Sequence, residues 1–295
     1  MPSYLITGVS RGIGYEFLRQ YSSDANNIVV GLVRNKDATN KKLSEDPDLK
    51  GRSNIHIIAA DVTDYAALQN AVSATAKITG GSLDYIIANA GLISQFDQYD
   101  PIGDLNSGAQ PDQITKEMRD LFDVNVIGNV HLFNLFVPLI QKGQAKKVIA
   151  ITSGYSDVET TRTWDMLLAP LYSTSKAALN MVIAKFSAQF KKDGILFLGL
   201  APGIVDVGYD DKGMWSSCLD VVDRFTDGFF AATPEQLQKV AAVFGEFLSK
   251  YAPDFKGPST PEQSVALMRP VIANASIENG NAGDFISQFG NKQWL

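Results

Sequence analysis

Tyr4-Leu5-Ile6-Thr7-Gly8-Val9-Ser10-Arg11-Gly12-Ile13-Gly14 is a short apolar run that ends in three glycines. A helical pattern follows, with Phe17, Leu18 and Tyr21 on one face. Glycines between a strand and a helix let the backbone approach a phosphate closely. The helix N-terminus then offers free N–H groups and the positive end of its dipole. The spacing is GxxxGxG rather than GxGxxG, so in isolation it also fits a plain glycine-rich turn.

Outward from this junction the same unit repeats. Residues 27–35 read as a second strand, about where a dinucleotide fold meets the adenosine ribose. Arg34 stands at its end where an acidic residue would accept from the 2′-hydroxyl of NAD, and Arg11 sits inside the glycine loop. Two guanidiniums suit a 2′-phosphate and favour NADPH/NADP+, while Asp37 keeps NAD as the second choice. Two solvated surface arginines are the plainer alternative. Residues 36–51 read as helix and loop. A third strand at 54–60 ends in Asp61-Val62, and a helix at 65–79 is capped by Thr63 or Asp64. A fourth strand at 83–88 runs into Asn89-Ala90-Gly91. Continuous apolar strands alternating with helices predict an α/β fold with a parallel sheet covered on both faces.

The second half continues the alternation. Residues 95–110 read as a loop, and Pro111 opens a helix whose apolar stripe is interrupted at Asn125 before a further helical stretch to 141. His131, Phe133 and Phe136 read as packing residues, with a subunit contact as a second role. A fifth strand at 147–152 is followed by Ser153-Gly154, a loop at 155–170, a helix from about Tyr172 to 192, and a sixth strand at 194–200 ending in Ala201-Pro202-Gly203. Tyr172 and Lys176 share one helix face. An ammonium beside a phenol lowers the phenol's pKa from about 10 towards neutrality, which suits proton exchange with a carbonyl or alcohol oxygen. YxxxK alone also describes an ordinary amphipathic helix. Ser153, Asn89 and the Gly8–Gly14 loop fall on the same carboxyl edge of the sheet, where open parallel sheets bind ligands.

Composition excludes other classes. The chain has 295 residues, 45% of them apolar and 20% charged, enough for one large globular core. A net charge of −6 with no basic stripe argues against nucleic acid as a partner. Cys218 is the single cysteine, and His56 and His131 stand apart, so disulfides, a metal site and a histidine triad are not expected. No apolar stretch reads as a membrane span, and no leader precedes the first strand, so a cytoplasmic protein is expected.

Taken in order, Gly8-(x3)-Gly12-Ile13-Gly14, Asn89-Ala90-Gly91, Asn125, Ser153, Tyr172-(x3)-Lys176 and Pro202-Gly203 make residues 3–206 resemble the short-chain dehydrogenase/reductases. The 175–181 run and 260–265 resemble the carbonyl-reductase-like C-factor/sniffer branch, especially homologues from filamentous fungi. The resemblance implies a single Rossmann-type domain over 1–295 with about seven parallel strands. It further implies an active-site insertion at 155–171 and an enlarged helical substrate lid at 207–258. Tyr172 would be the general acid/base, with Ser153 holding the substrate oxygen, Lys176 lowering the Tyr172 pKa and binding the nicotinamide ribose, and Asn125 holding a relay water. Gly8, Ser10, Gly12, Ile13 and Gly14 would take the pyrophosphate, Arg11 and Arg34 the 2′-phosphate, and Asp61 and Val62 the adenine. Asn89, Ala90 and Gly91 would flank the nicotinamide-side ribose, and Pro202, Gly203 and Ile204 the carboxamide.

Three departures stand out. The Ser153–Tyr172 separation is long, which leaves Ser156 as a minor alternative. Asp206 replaces the usual Thr and would repel a pyrophosphate. The lid carries Trp215, Phe225, Phe229 and Phe230. The function expected is reduction of a bulky, partly aromatic carbonyl by NADPH. The alternative is a non-redox isomerase, cyclase or NADP-sensing protein that retains the cofactor site. The oligomeric state stays open between a monomer, as in some of this branch, and a homodimer or homotetramer pairing through the helices at 111–141 and 172–192.

Overall fold

The computed structural model describes residues 1–105, 111–207 and 234–295. Seven parallel strands form one sheet in the order β3-β2-β1-β4-β5-β6-β7. They are β1 (Ser3–Thr7), β2 (Ile28–Val33), β3 (Ile55–Ala59), β4 (Tyr85–Ala88), β5 (Lys147–Ile151), β6 (Leu196–Ala201) and β7 (Phe285–Ser287). The order reverses between β1 and β4, so the loops leaving these two strands part and open a crevice at the carboxyl edge.

The central strands are apolar on both sides at their middles because helices cover both faces. On one face α1 (Gly12–Tyr21) and α9 (Pro261–Asn274) bring Phe17, Leu18, Met268 and Ile272 against Ile6, Ile87, Ile149 and Leu198. On the other, α3 (Tyr65–Thr79), α5 (Gly128–Ile140) and α7 (Pro170–Phe190) bring Leu68, Phe133, Phe136, Leu179 and Ile183 against Leu5, Val30, Ile86 and Phe197. Alternate strand residues therefore serve opposite cores, and burying each such side chain contributes about 1.5–3 kcal/mol. The helix α2 (Lys36–Glu45) is capped by Asn35, and α3 by Asp64, whose carboxylate accepts from Ala67 N–H at 2.9 Å. Thr63, the other capping candidate, donates its hydroxyl to Asp61 instead.

The structure corrects the expected organisation in three places. Residues 155–170 are not a plain loop: a 3₁₀ turn at Gly154–Ser156 leads into the helix α6 (Val158–Trp164). Helices α4 (Pro111–Phe122) and α5 are one continuous rod joined by a π turn, Asp123–Ile127, which carries Asn125. The added residue per turn explains why the apolar stripe breaks there. That rod, Pro111–Ile140, is also long and apolar enough to cross a membrane, contrary to the expectation from composition. Half of its most apolar window is buried within the protein, and Leu132, Phe133 and Phe136 pack on the sheet, as in a core helix. Helix α8 (Pro234–Tyr251) lies in the expected lid segment, whereas Trp215, Phe225, Phe229 and Phe230 are outside the described residues.

At the opposite, amino edge of the sheet, Asp84 ties three chain segments together. Its carboxylate accepts from Ser3 N–H and Oγ at 2.9 and 3.0 Å, and from Gln144 and Ala145 N–H at 2.7 and 3.2 Å. Burial alone would raise this carboxyl's pKa, but the hydrogen bonds outweigh it and hold the pKa below the ordinary value. The stability it contributes is therefore present above the unfolded carboxyl pKa and lost as pH falls through the folded one. Asp84→Ala is expected to destabilise the protein by roughly 2–4 kcal/mol. In urea titrations its gap from wild type should narrow as the pH is taken down towards 3.

Candidate active site

The crevice is built from the glycine loop upward. Gly8 and Gly12 hold φ of 75° and 58°, in the left-handed region. A Cβ at Gly14 would lie 2.4 Å from both the Gly8 carbonyl oxygen and Asn89 Nδ2, so the loop closes on itself only without a side chain there. Thr7 Oγ1 accepts from the N–H of Asn89 and of Ala90 at 3.0 and 2.9 Å, and Asn89 Nδ2 donates to the Thr7 carbonyl at 3.0 Å. The turn after β4 is thus stapled to the end of β1. Arg11 is the N-cap of α1 and its side chain makes no capping bond, which leaves the first-turn amides to an incoming anion. This cradle fits a dinucleotide pyrophosphate.

Ser10, Arg11 and Arg34 are exposed beside it, and Ile13 is half-buried. Lys42 is a third cation here. Its Nζ donates to the Ser10 carbonyl at 3.2 Å and lies 4.2 Å from the centre of the Tyr15 ring. Sequence reasoning passed over it because α2 is polar all round. Asp61 and Val62 follow β3, half-buried, with the Asp61 carboxylate turned back onto Thr63. On the far side of the loop, Val207 comes within 3.3 Å of a Cβ placed at Gly12. The Pro202–Gly203–Ile204 segment is fixed by Ser264 Oγ donating to the Pro202 carbonyl at 2.7 Å and Ser259 N–H donating to the Ile204 carbonyl at 2.9 Å. Asp206 N–H donates to the Ser259 carbonyl at 2.9 Å, so its backbone belongs to this clamp.

The helix α7 places Tyr172 and Lys176 one turn apart, as the spacing predicted. Lys176 is buried beneath the end of β5, where its Nζ donates to the Ile151 carbonyl at 2.9 Å. Nζ is 5.9 Å from the centre of the Tyr172 ring. Burial in this apolar setting pushes the ammonium pKa down to about 8. A point beside Gly91 lies 3.3 Å from both Lys176 Nζ and Asn125 Oδ1, so the two groups converge. Asn125 is fully buried and clamped: Oδ1 accepts from Leu92 N–H at 2.8 Å, and Nδ2 donates to the Leu92 carbonyl at 2.9 Å and to Ser175 Oγ at 3.0 Å.

Ser153 leaves β5 in extended backbone, half-buried, with its Oγ accepting a long 3.3 Å bond from Tyr155 N–H. Ser156 is buried elsewhere. Its hydroxyl donates to the Ser153 carbonyl at 2.6 Å and accepts from Asn180 Nδ2 at 2.8 Å, so it supports the Ser153 turn. Burial pushes the Tyr155 and Tyr99 phenols up to about 12, which removes both from proton exchange near neutrality.

Tyr155 and Ile204 pack against an apolar wall, the buried cluster of Tyr99, Met166, Leu168, Phe244, Phe247 and Leu248. Sequence reasoning missed two residues that tie this side of the molecule together. Trp294 stacks on Phe285 with ring centres 4.4 Å apart, and its Nε1 donates to Asp157 Oδ2 at 3.0 Å and Thr160 Oγ1 at 2.8 Å. Its Cβ would sit 2.8 Å from a Cβ at Gly154, so a glycine next to Ser153 is required for this packing. Asp97, fully buried in the loop after β4, accepts from the N–H groups of Leu171 and Tyr172. Burial pushes its carboxyl pKa up against the pull of these bonds. No motif marks either residue, because their partners lie far away in the chain.

The depressed Lys176 pKa has a stability consequence. Below about pH 8 the buried lysine is protonated in both folded and unfolded chains and its desolvation opposes folding. Between about 8 and 10.5 only the unfolded chain holds the proton, so stability rises with pH. Lys176→Met is expected to raise the melting temperature at pH 7, with the advantage shrinking from pH 8 to 10 in calorimetric scans.

Comparison with known proteins shows the family and the fold. A family model, short chain dehydrogenase, matches residues 3–213. The short chain dehydrogenase virK of Hypocrea virens is 51% identical over 295 residues, covering all of both chains. Among solved structures, NADPH-bound carbonyl reductase from chicken fatty liver superposes with a TM-score of 0.68 at 22% identity, covering 99% of this chain and 98% of that one. Carbonyl reductase Sniffer of D. melanogaster gives 0.70 at 18% identity, with the same coverage.

Proposed function

The chain belongs to the short-chain dehydrogenases, an oxidoreductase family that uses nicotinamide cofactors, and on that premise we propose that it reduces a bulky, partly aromatic carbonyl with NADPH. The observation that carries the reading is the convergence of Lys176 Nζ and Asn125 Oδ1 beside Gly91, at the foot of the Tyr172 helix and next to the nucleotide cradle. The whole chain, 1–295, acts as one Rossmann-type domain, with 155–171 and 207–258 shaping the substrate side.

Gly8, Ser10, Gly12, Ile13 and Gly14 would hold the pyrophosphate, and Arg11 and Arg34 the 2′-phosphate. Asp61 and Val62 would border the adenine. Asn89, Ala90 and Gly91 would line the nicotinamide-side ribose, and Pro202, Gly203 and Ile204 would face the carboxamide. NADPH, when bound, supplies the hydride. The protein then has to orient the carbonyl and deliver a proton. Ser153 Oγ, whose only described donor is a long contact, would bind the substrate oxygen. Tyr172 gives that oxygen its proton, and the Lys176 ammonium stabilises the phenolate left behind. A water at the point shared by Lys176 and Asn125 would return the proton from solvent. The apolar wall excludes water and sets the preference for a large substrate. We place this activity in the cytoplasm.

Fluorescence titration and absorbance at 340 nm with a panel of aromatic ketones, quinones and aldehydes test the reading. Turnover with NADPH and little with NADH is the expected result. Replacing Arg11 and Arg34 together by Ala should weaken NADPH binding by about 10- to 100-fold and leave NADH unchanged. Equal losses for both cofactors would remove the 2′-phosphate assignment. Tyr172→Phe should lower kcat by roughly 10²–10⁴-fold with NADPH binding intact. Undiminished turnover in that variant would overturn the acid/base assignment.

A further inference from the structure

The helix that carries Tyr172 begins without a cap of its own. Its N-cap position is Ala169, which has no acceptor and sits at φ 53°, outside the extended backbone that a capping side chain needs. Pro170 follows and has no N–H, so the orphan donors of the first turn are those of Leu171 and Tyr172. Ser173 N–H already returns to the Ala169 carbonyl at 2.9 Å. Ala169 and Leu171 are each only 4% exposed, so solvent does not reach this turn freely.

Both orphan donors go to one distant oxygen. Asp97 Oδ2 accepts from Leu171 N–H at 2.6 Å and from Tyr172 N–H at 3.3 Å, across 74 residues of chain. The helix dipole favours a carboxylate at this end. The arrangement is nonetheless costly, because Asp97 is 0% exposed and its Oδ1 is buried with no hydrogen-bond partner. A cap needed only for helix stability does not require a carboxylate from so far away.

Its location supplies a reason. Asp97 lies in the loop that leaves β4 for the substrate side. That loop is gripped at Leu92 by the Asn125 amide, and Ser94 Oγ accepts from Phe96 N–H while donating to Glu117. Two residues beyond Asp97, Tyr99 enters the apolar wall. One carboxylate therefore joins the first turn of α7 to the segment that runs from Asn125 to the wall.

Building on the reading of Tyr172 as the acid/base, we propose that Asp97 is a positioning residue, which fixes the Tyr172 backbone to the substrate-side loop. The phenol's height above Ser153 is then set by how that loop sits, and a substrate pressing on Tyr99 or Phe96 is felt at Tyr172.

The test compares Asp97→Asn, which keeps an acceptor of the same shape, with Asp97→Ala, which removes it. Kinetics are read with amide exchange at Leu171 and Tyr172 in the full chain. In Asp97→Ala, kcat should fall by about 10- to 100-fold, as a misplacement of the order of 1 Å produces. KM for NADPH should hold, and both amides should exchange faster. Asp97→Asn should restore kcat to within about threefold and keep both amides protected. Wild-type kcat in Asp97→Ala despite fast exchange would overturn the proposal, as would equal kcat losses in the two variants. Should Asp97→Ala not fold, Asp97→Asn decides alone. Protected amides with retained kcat support the tether, and protected amides with lost kcat refute it. If wild type reduces no carbonyl, the reductase reading falls by itself. The exchange readout needs no turnover and still decides whether Asp97 holds Tyr172.

Discussion

A lysine ammonium buried under the end of a parallel strand is an expensive group to place, and much of the carboxyl edge of this protein is arranged around it. Lys176 has one described hydrogen bond, to the Ile151 carbonyl, in surroundings that pull its pKa down to about 8. The position is tenable because α7 is packed on the sheet by Leu179 and Ile183, which fixes the helix height against β5 and β6. The same packing sets Tyr172 one turn above and brings Nζ towards the Asn125 amide. A charge left in such a place contributes little to stability. In the proposed reaction it would stabilise a neighbouring phenolate, where desolvation strengthens the attraction.

The supporting shell follows the same logic. The Asn125 side chain is clamped to Leu92 and Ser175, and a π turn presents it between the exposed α4 and the core-packed α5. Ser156 donates its hydroxyl to the Ser153 carbonyl, and among the described residues the Ser153 hydroxyl accepts one long bond, from Tyr155 N–H. Trp294 holds the inserted helix α6 through Asp157 and Thr160 and packs over Gly154.

Much of this was legible in the sequence. The strand centres Leu5-Ile6 and Ile86-Ile87 are apolar at consecutive positions because both faces are covered, which sets them apart from the alternation of a half-exposed sheet. The glycine spacing and the Tyr172–Lys176 pair survive as local motifs because strand ends and helix turns fix their geometry over a few residues. The helix α6 was not legible: Val158-Glu159-Thr160-Thr161-Arg162-Thr163-Trp164 has no apolar stripe, and its anchor is Trp294, more than a hundred residues away. Asp97 was unreadable for the same reason. Its partners are backbone N–H groups, which leave no trace in residue identity.

The central claim is that Lys176 makes the Tyr172 phenol acidic. The most direct measurement is a ¹³C NMR titration of ring-labelled tyrosine in the NADP+ complex, with Tyr172 assigned by the loss of its signal in Tyr172→Phe. The account predicts that Tyr172 titrates well below the ordinary phenol value of about 10 and returns towards it in Lys176→Met. A Tyr172 that titrates at 10 or above in the wild-type complex, or that ignores the Lys176 substitution, would contradict it.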